Sequence, residues 1–240
     1  MNLITPIIDL FYPRLCIRCG SKLNTVEKYL CSHCFAGIPV TDSHKLRINP
    51  IANAIADMIE VNEAYAWFYH NRKGSYGKLI YDIKYSSNFN LARYLGCQYA
   101  KELKQAGKLK DIENIIPVPL HSSRKKLRGY NQSEKIAEGV ASVFGAKIRT
   151  DMIIRQRATP SQVKKSRYER WENMQDAFGA LPPVSGEEEK GILLIDDVIT
   201  TGSTLLACAS ALKKAGYKNI SIMGLAFSNE IGRASCRERV

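Results

Sequence analysis

Apolar positions along the chain alternate between two patterns. Continuous aliphatic runs bounded by turn residues occur at Asn114–Leu120 (NIIPVPL), at Ile192–Ile195 and at Asn219–Phe227, and Lys147–Arg155 reads as a further strand. Ala64–Tyr69 (AYAWFY) is aromatic and β-prone. Between these lie segments with helical spacing. Ile51, Ala54, Ile55 and Met58 form one such face, and Leu79, Ile80, Ile83 and Lys84 a second. Further helices are predicted over Ala92–Leu103, over Ser133–Phe144 (with Ile136, Ala137, Val140 and Phe144 aligned) and over Leu205–Ala215. A continuous apolar run reads as a strand buried on both faces, hence as part of a parallel sheet. The expected class is therefore α/β, a Rossmann-like parallel sheet flanked by helices.

Two regions stand outside this pattern. Residues 1–12 carry Leu3, Ile4, Ile7, Ile8, Leu10 and Phe11 near one helical face, but lack the basic face of a membrane-surface helix. Residues 230–240, EIGRASCRERV, continue no element, and one codon choice for them resembles a sequencing adapter, so they read as a non-native tail. The expected division is a cysteine module in 1–45, a main domain in 60–229, and that tail.

Four of seven cysteines are paired as Cys16-Ile-Arg-Cys19 and Cys31-Ser-His-Cys34; Cys97, Cys208 and Cys236 are scattered. Each C-x2-C turn places two thiolates on one side of a metal, and two turns complete a tetrahedron, the zinc-ribbon arrangement. Gly20 lets the first knuckle turn tightly, and His33 is a bystander because four thiolates already close the site. A closed site has no position for substrate, so its role is structural or docking.

The chemistry concentrates in Gly191–Thr204, GILLIDDVITTGST. An aliphatic run ends in Asp196 and Asp197, and a turn of Thr200, Thr201, Gly202, Ser203 and Thr204 leads into a helix. Backbone N–H groups around a glycine opening a helix can cradle a phosphate, with the hydroxyls as further donors. Adjacent carboxylates suit vicinal sugar hydroxyls, directly or through magnesium. Together they describe a site for a ribose 5-phosphate at the carboxyl ends of the strands. The stretch resembles the phosphoribosyl-pyrophosphate (PRPP) signature of type I phosphoribosyltransferases at every position. That resemblance implies Asp196 and Asp197 on the ribose hydroxyls, and Thr200–Thr204 on the 5-phosphate.

Charge adds a second theme. The 240 residues include 35 Lys and Arg against 23 Asp and Glu, a net charge of +12, which favours polyanionic partners without choosing among them. One basic cluster follows the first long strand, where Arg124, Lys125 and Arg128 with Gly129 form an expected loop for pyrophosphate. Another spans Arg155–Arg170, with Tyr168 and Trp171 nearby. This second patch suits either a lid over PRPP or a single-stranded nucleic-acid surface. No apolar run approaches the roughly 20 residues that span a bilayer, and the N-terminus lacks a secretory pattern, so a cytoplasmic protein is expected. GxxxxGK[ST], GxGxxG and HExxH do not occur.

Taken in order, the CxxC pairs, IIPVPLH, RGYNQ, the R-x-x-x-T-x-x-Q run Arg155–Gln162 and LLIDDVITTGST resemble the ComF family. The resemblance implies a zinc ribbon joined to a type I phosphoribosyltransferase-like domain, structural Zn2+, Mg2+ with PRPP, and an association with DNA uptake in competent bacteria. It implies displacement at the ribose anomeric carbon with Asp196 and Asp197 as catalytic residues, and an unidentified acceptor. An alternative from another class is a non-catalytic DNA-uptake accessory protein that binds single-stranded DNA or a helicase partner. A nucleobase salvage enzyme ranks third, because salvage has no use for a zinc ribbon.

Overall fold

The computed structural model describes residues 12–56, 58–71, 74–86, 88–120, 122–155 and 177–228. Residues 1–12 apart from Tyr12, the greater part of the Arg155–Arg170 cluster and the 230–240 tail, for which the sequence raised expectations, lie outside these.

Five strands form one parallel sheet. They are β1 (Ala64–Tyr69), β2 (Ile112–Pro117), β3 (Lys147–Ile148), β6 (Gly191–Ile199) and β7 (Ile220–Phe227), in the order β1-β7-β6-β2-β3. Two short strands, β4 (Ile153–Arg155) and β5 (Phe178–Ala180), pair antiparallel beside it. The helices are α1 (Ser32–Ala36), α2 (Pro50–Ala56), α3 (Gly77–Tyr85), α4 (Phe89–Gln105), α5 (Ser122–Arg128), α6 (Gln132–Phe144) and α7 (Ser203–Ala215).

The period-2 alternation of β6 and β7 builds two cores. Leu193, Ile195, Met223 and Leu225 face Leu91, Leu95 and Tyr99 of α4 and Ile136 and Val140 of α6. Ile192, Leu194, Ile220 and Ile222 face Ile51 and Ile55 of α2 and Leu205, Leu206 and Leu212 of α7. Every residue of β7 is buried, as befits a strand flanked on both sides and covered on both faces. α4 and α6 meet backbone to backbone: a Cβ on Gly139 would lie 2.0 Å from the Arg93 carbonyl oxygen, and one on Gly96 would lie 2.5 Å from that of Ile136.

The cysteine module shares the first core. Leu23, Leu30, Cys34 and Ile38 are buried with Trp67, Phe68 and Tyr76. Residues 39–41 run antiparallel beside β1, through Tyr69 N–H to the Pro39 carbonyl and Thr41 N–H to the Trp67 carbonyl, both 2.8 Å. This covers the sheet edge that β1 would otherwise expose.

Three local expectations change. Lys147–Arg155 is two strands in different sheets, because Thr150–Asp151 turn the chain away after β3 has paired with β2. The basic run after β2 is a helix, α5, where the sequence suggested a loop; its Lys- and Arg-rich composition is compatible with helix, and Gly129 at φ +76° marks its end. The strand carrying the two aspartates does not stop at them but continues to Ile199, held by β7 through Val198 and Ile199.

Candidate ligand site at the carboxyl edge of the sheet

Because neighbouring strands are parallel, the ends of β1, β2, β6 and β7 open on one edge, and the chemistry-bearing residues collect there. Asp196 lies opposite Gly224 in β7, and a Cβ on Gly224 would fall 2.6 Å from Ile199 Cγ1. Asp196 Oδ1 accepts the Asp197 backbone N–H at 2.8 Å and the Ser133 hydroxyl at 3.1 Å. Asp197 is buried and holds Lys84 Nζ at 3.2 Å from its Oδ1. Burial, then the charge of Asp197, pushes the Asp196 carboxyl up to about 7, against the opposing pull of Asp197 N–H, Lys84 and Ser133. Among the described residues, Lys84 is the cation that pairs with this carboxylate couple.

The segment Arg128–Ser133 ties three elements to this point. The Tyr130 hydroxyl donates to the Ile83 carbonyl at the end of α3. Asn131 Nδ2 donates to the Val118 carbonyl at 3.0 Å while its Oδ1 caps α6 by accepting Ser133 N–H at 3.1 Å. Arg128 Nη1 donates to Gln132 Oε1 at 2.9 Å, and its guanidinium lies 5.4 Å from the Tyr85 ring centroid. Among the described residues, Gln132 Nε2 is buried with no partner, a donor left over beside that arginine. Lys125 stands 3.6 Å from Glu134, and Arg124 is on α5 with its side chain outside the described part.

After β6 the hydroxyl-rich turn meets the N-terminus of α7. Gly202 adopts φ +75°, the left-handed region, and caps α7 without a side-chain acceptor. The first-turn N–H groups therefore have no cap from that residue, and the Thr201 and Ser203 hydroxyls pair at 2.7 Å beside them. Among the predicted residues, Asp196, Asp197 and Thr200–Thr204 thus follow one another along this edge. Lys84 figured in the sequence only as part of a helical face, Ser133 only as the start of a helix and Tyr130 only as part of the RGYNQ motif. Their roles depend on packing between distant segments, to which local pattern is blind.

The four cysteines form the second site. The Sγ atoms of Cys16, Cys19, Cys31 and Cys34 all lie within 4.8 Å of one another, and Cys19 and Cys31 are 3.8 Å apart. Four sulfurs at about 2.3 Å from a central zinc would be about 3.8 Å apart, so the donor set fits a tetrahedral ion. Hydrogen bonding with Ser21 pulls the Cys19 thiol down to about 6. Cys34, despite the hydrogen bond from Arg18 that lowers it, is pushed up to about 12 by burial and the neighbouring thiols. A dication would relieve that crowding. Arg18 reaches Cys34 Sγ at 3.4 Å and Ser75 Oγ at 3.2 Å, and the Tyr76 hydroxyl donates to the Cys34 carbonyl at 2.8 Å. The cluster is thereby fastened to the start of α3, the helix that presents Lys84.

Among the described residues, no helix is long and apolar enough to cross a membrane. The phosphoribosyl transferase domain family matches residues 131–237, which include α6, β6, α7 and β7. Competence protein F of Haemophilus influenzae is 29% identical over 229 residues, covering 90% of this chain and 98% of that protein. DNA utilization protein YhgH of Escherichia coli K12 is 26% identical over 216 residues, 87% of this chain and 88% of that protein. Competence protein ComFC of Streptococcus pneumoniae is 29% identical over 145 residues, 59% of each. With the parallel sheet and the four-cysteine cluster consistent with a zinc ribbon, the chain is similar to competence-associated proteins of the ComF type over most of its length, on a type I phosphoribosyltransferase-like fold.

Proposed function

We propose that this protein binds PRPP with magnesium and transfers the phosphoribosyl group to an acceptor, in the cytoplasm and in the service of DNA uptake. The observation that carries this reading is the joining, within one strand-to-helix turn, of the Asp196–Asp197 pair to a helix N-terminus led by left-handed Gly202, which has no side chain to cap it. Asp196 and Asp197 hold the ribose hydroxyls and stabilise positive charge at the anomeric carbon as it develops. Thr200–Thr204 anchor the 5-phosphate, which fixes the sugar for in-line displacement. Arg124, Lys125 and Arg128 draw the pyrophosphate, and the buried Gln132 donor beside Arg128 fits one of its oxygens. The bond from the anomeric carbon to pyrophosphate breaks with its electron pair leaving on oxygen, while an acceptor lone pair forms the new bond and the acceptor loses a proton. Magnesium, when bound with PRPP, supplies neutralisation of the leaving group. Zinc on Cys16, Cys19, Cys31 and Cys34 has a structural role.

Pyrophosphate release from PRPP and magnesium, with extracts of the parent cell as acceptor source, tests turnover. Release that Asp197→Asn abolishes supports the enzyme; none above the Asp197→Asn background rejects it.

A second reading is favoured by the relatives, whose names concern competence and DNA utilization. In it the protein is a non-catalytic accessory that binds single-stranded DNA or a helicase partner. DNA uptake that persists in cells carrying folded Asp197→Asn protein would select this reading.

A further inference from the structure

Helix α3 is fastened at one end to the cysteine cluster and at the other to the carboxylate edge. At its start Tyr76 is buried, and its hydroxyl donates to the Cys34 carbonyl at 2.8 Å. Gly37 leaves room for that hydroxyl, since a Cβ there would lie 2.7 Å from it. The Arg18 guanidinium donates to Cys34 Sγ at 3.4 Å and to Ser75 Oγ at 3.2 Å, and it stands 4.5 Å from the Tyr76 ring centroid. At the far end the Ile83 carbonyl accepts the Tyr130 hydroxyl, and Lys84 Nζ lies 3.2 Å from Asp197 Oδ1. Between the two ends, Leu79, Ile80 and Ile83 are buried in the core that the cysteine module shares. Nine helical residues make a rod about 13 Å long, so a shift at its start is carried to its end.

We propose that α3 couples the two sites, so that a metal ion on the four thiolates and PRPP–magnesium at the Asp196–Asp197 edge strengthen each other's binding by one and the same factor. Four sulfurs this close are held together by a cation, and Cys34 is the ligand on which both Arg18 and Tyr76 rest. A loaded cluster therefore fixes the start of α3 and, through the helix, the placement of Lys84 and Ile83 against Asp197 and Tyr130. PRPP binding to a frame that is already ordered loses less conformational freedom and is tighter for it. Linkage makes the effect reciprocal, so PRPP tightens the metal as much as the metal tightens PRPP. Arg18 and Tyr76 are positioning residues in this scheme, acting through Cys34 on one side and α3 on the other. A ribbon with a structural role alone would stabilise the fold without a route through these two side chains. The inference rests on the PRPP reading for its second ligand and on α3 for its route.

The test has two arms, both on full-length protein. Hydrogen exchange without PRPP reads the route: chelating the zinc should speed exchange in α3 at least fivefold and leave α7, in the other core, within twofold. Acceleration confined to residues 12–40, or as large in α7 as in α3, would overturn a route through α3. The second arm measures zinc affinity by competition with a chromophoric chelator, with and without PRPP–magnesium, and PRPP affinity by calorimetry, with and without zinc. Both factors should be about fivefold or more and equal within twofold. Arg18→Met/Tyr76→Phe keeps the four cysteines and the Tyr76 ring; with one zinc per chain and a cooperative melt showing that it folds, its factor should drop below twofold. PRPP binding indifferent to zinc, unequal factors from the two sides, or an undiminished factor in the double variant would overturn the coupling. Zinc-loaded wild type that binds no PRPP would instead overturn the PRPP reading and the reciprocal effect with it, while the exchange arm still reads the route.

Discussion

Lys84 Nζ stands 3.2 Å from Asp197 Oδ1, joining the last turn of α3 to the central strand β6 across more than a hundred residues of sequence. Both side chains are largely shielded from water, so the pair is screened little by salt. Replacing Lys84 by Met removes that cation and leaves Asp197 buried beside Asp196. The expected cost is about 1–3 kcal/mol of stability, read by urea denaturation at pH 8. A Lys84→Met protein as stable as wild type would show that the contact carries no weight.

The Asp196 carboxyl gives a pH signature. Its pKa is raised on folding to about 7 by burial and by Asp197. A carboxyl raised in this way binds its proton more tightly when folded, so ionisation costs stability at every pH above the unfolded value of about 3.9. The cost grows from there and is fully present above about 7. Asp196→Asn should therefore melt higher than wild type at pH 8, with the gap closing towards pH 4. The reverse order at pH 8 would contradict a destabilising carboxylate held for function.

Metal removal should be felt far from the cysteines. Leu23, Leu30, Cys34 and Ile38 belong to the same core as Trp67, Phe68 and Tyr76, and Tyr76 and Arg18 link the cluster to α3. One zinc per chain is expected by atomic absorption, and chelation should lower the single main melting transition by at least 5 °C, an effect of about 1–2 kcal/mol for a chain of this size. A separate small transition with the main one unmoved would instead mean two independently stable units.

Gly202 is at φ +75°, and a Cβ there would also lie 3.2 Å from Ile55 Cγ2. Gly202→Ala should cost about 1–2 kcal/mol from the left-handed conformation alone and should misplace the first-turn N–H groups of α7. PRPP affinity is expected to fall at least tenfold, measured by calorimetry. Wild-type affinity in this variant would remove the turn from the binding site.

Much of this architecture is legible in the sequence because its signals are local. The apolar run Ile192–Ile195, the helical faces of 79–83 and 136–144, and the C-x2-C pairs each declare an element or a ligand set within a few residues. What escaped depends on distant partners. Lys84 has nothing around it in sequence to distinguish it from a solvated lysine; α3 and β6 must first pack for it to meet Asp197. Ser133 reads as the start of a helix, and only the sheet brings it to Asp196. The strand's continuation past two acids was hidden because charge ordinarily ends a buried strand, whereas here the β7 ladder extends it to Ile199.

The central claim is that the Asp196–Asp197 strand end and the Thr200–Thr204 turn form a PRPP site. Isothermal calorimetry of PRPP with magnesium against zinc-loaded protein at pH 8, on wild type and on Asp196→Asn/Asp197→Asn, tests it most directly. The expected result is saturable one-site binding by wild type and none by the double variant, with both proteins folded by circular dichroism. Absent binding by folded wild type, or equal binding by the double variant, would contradict it.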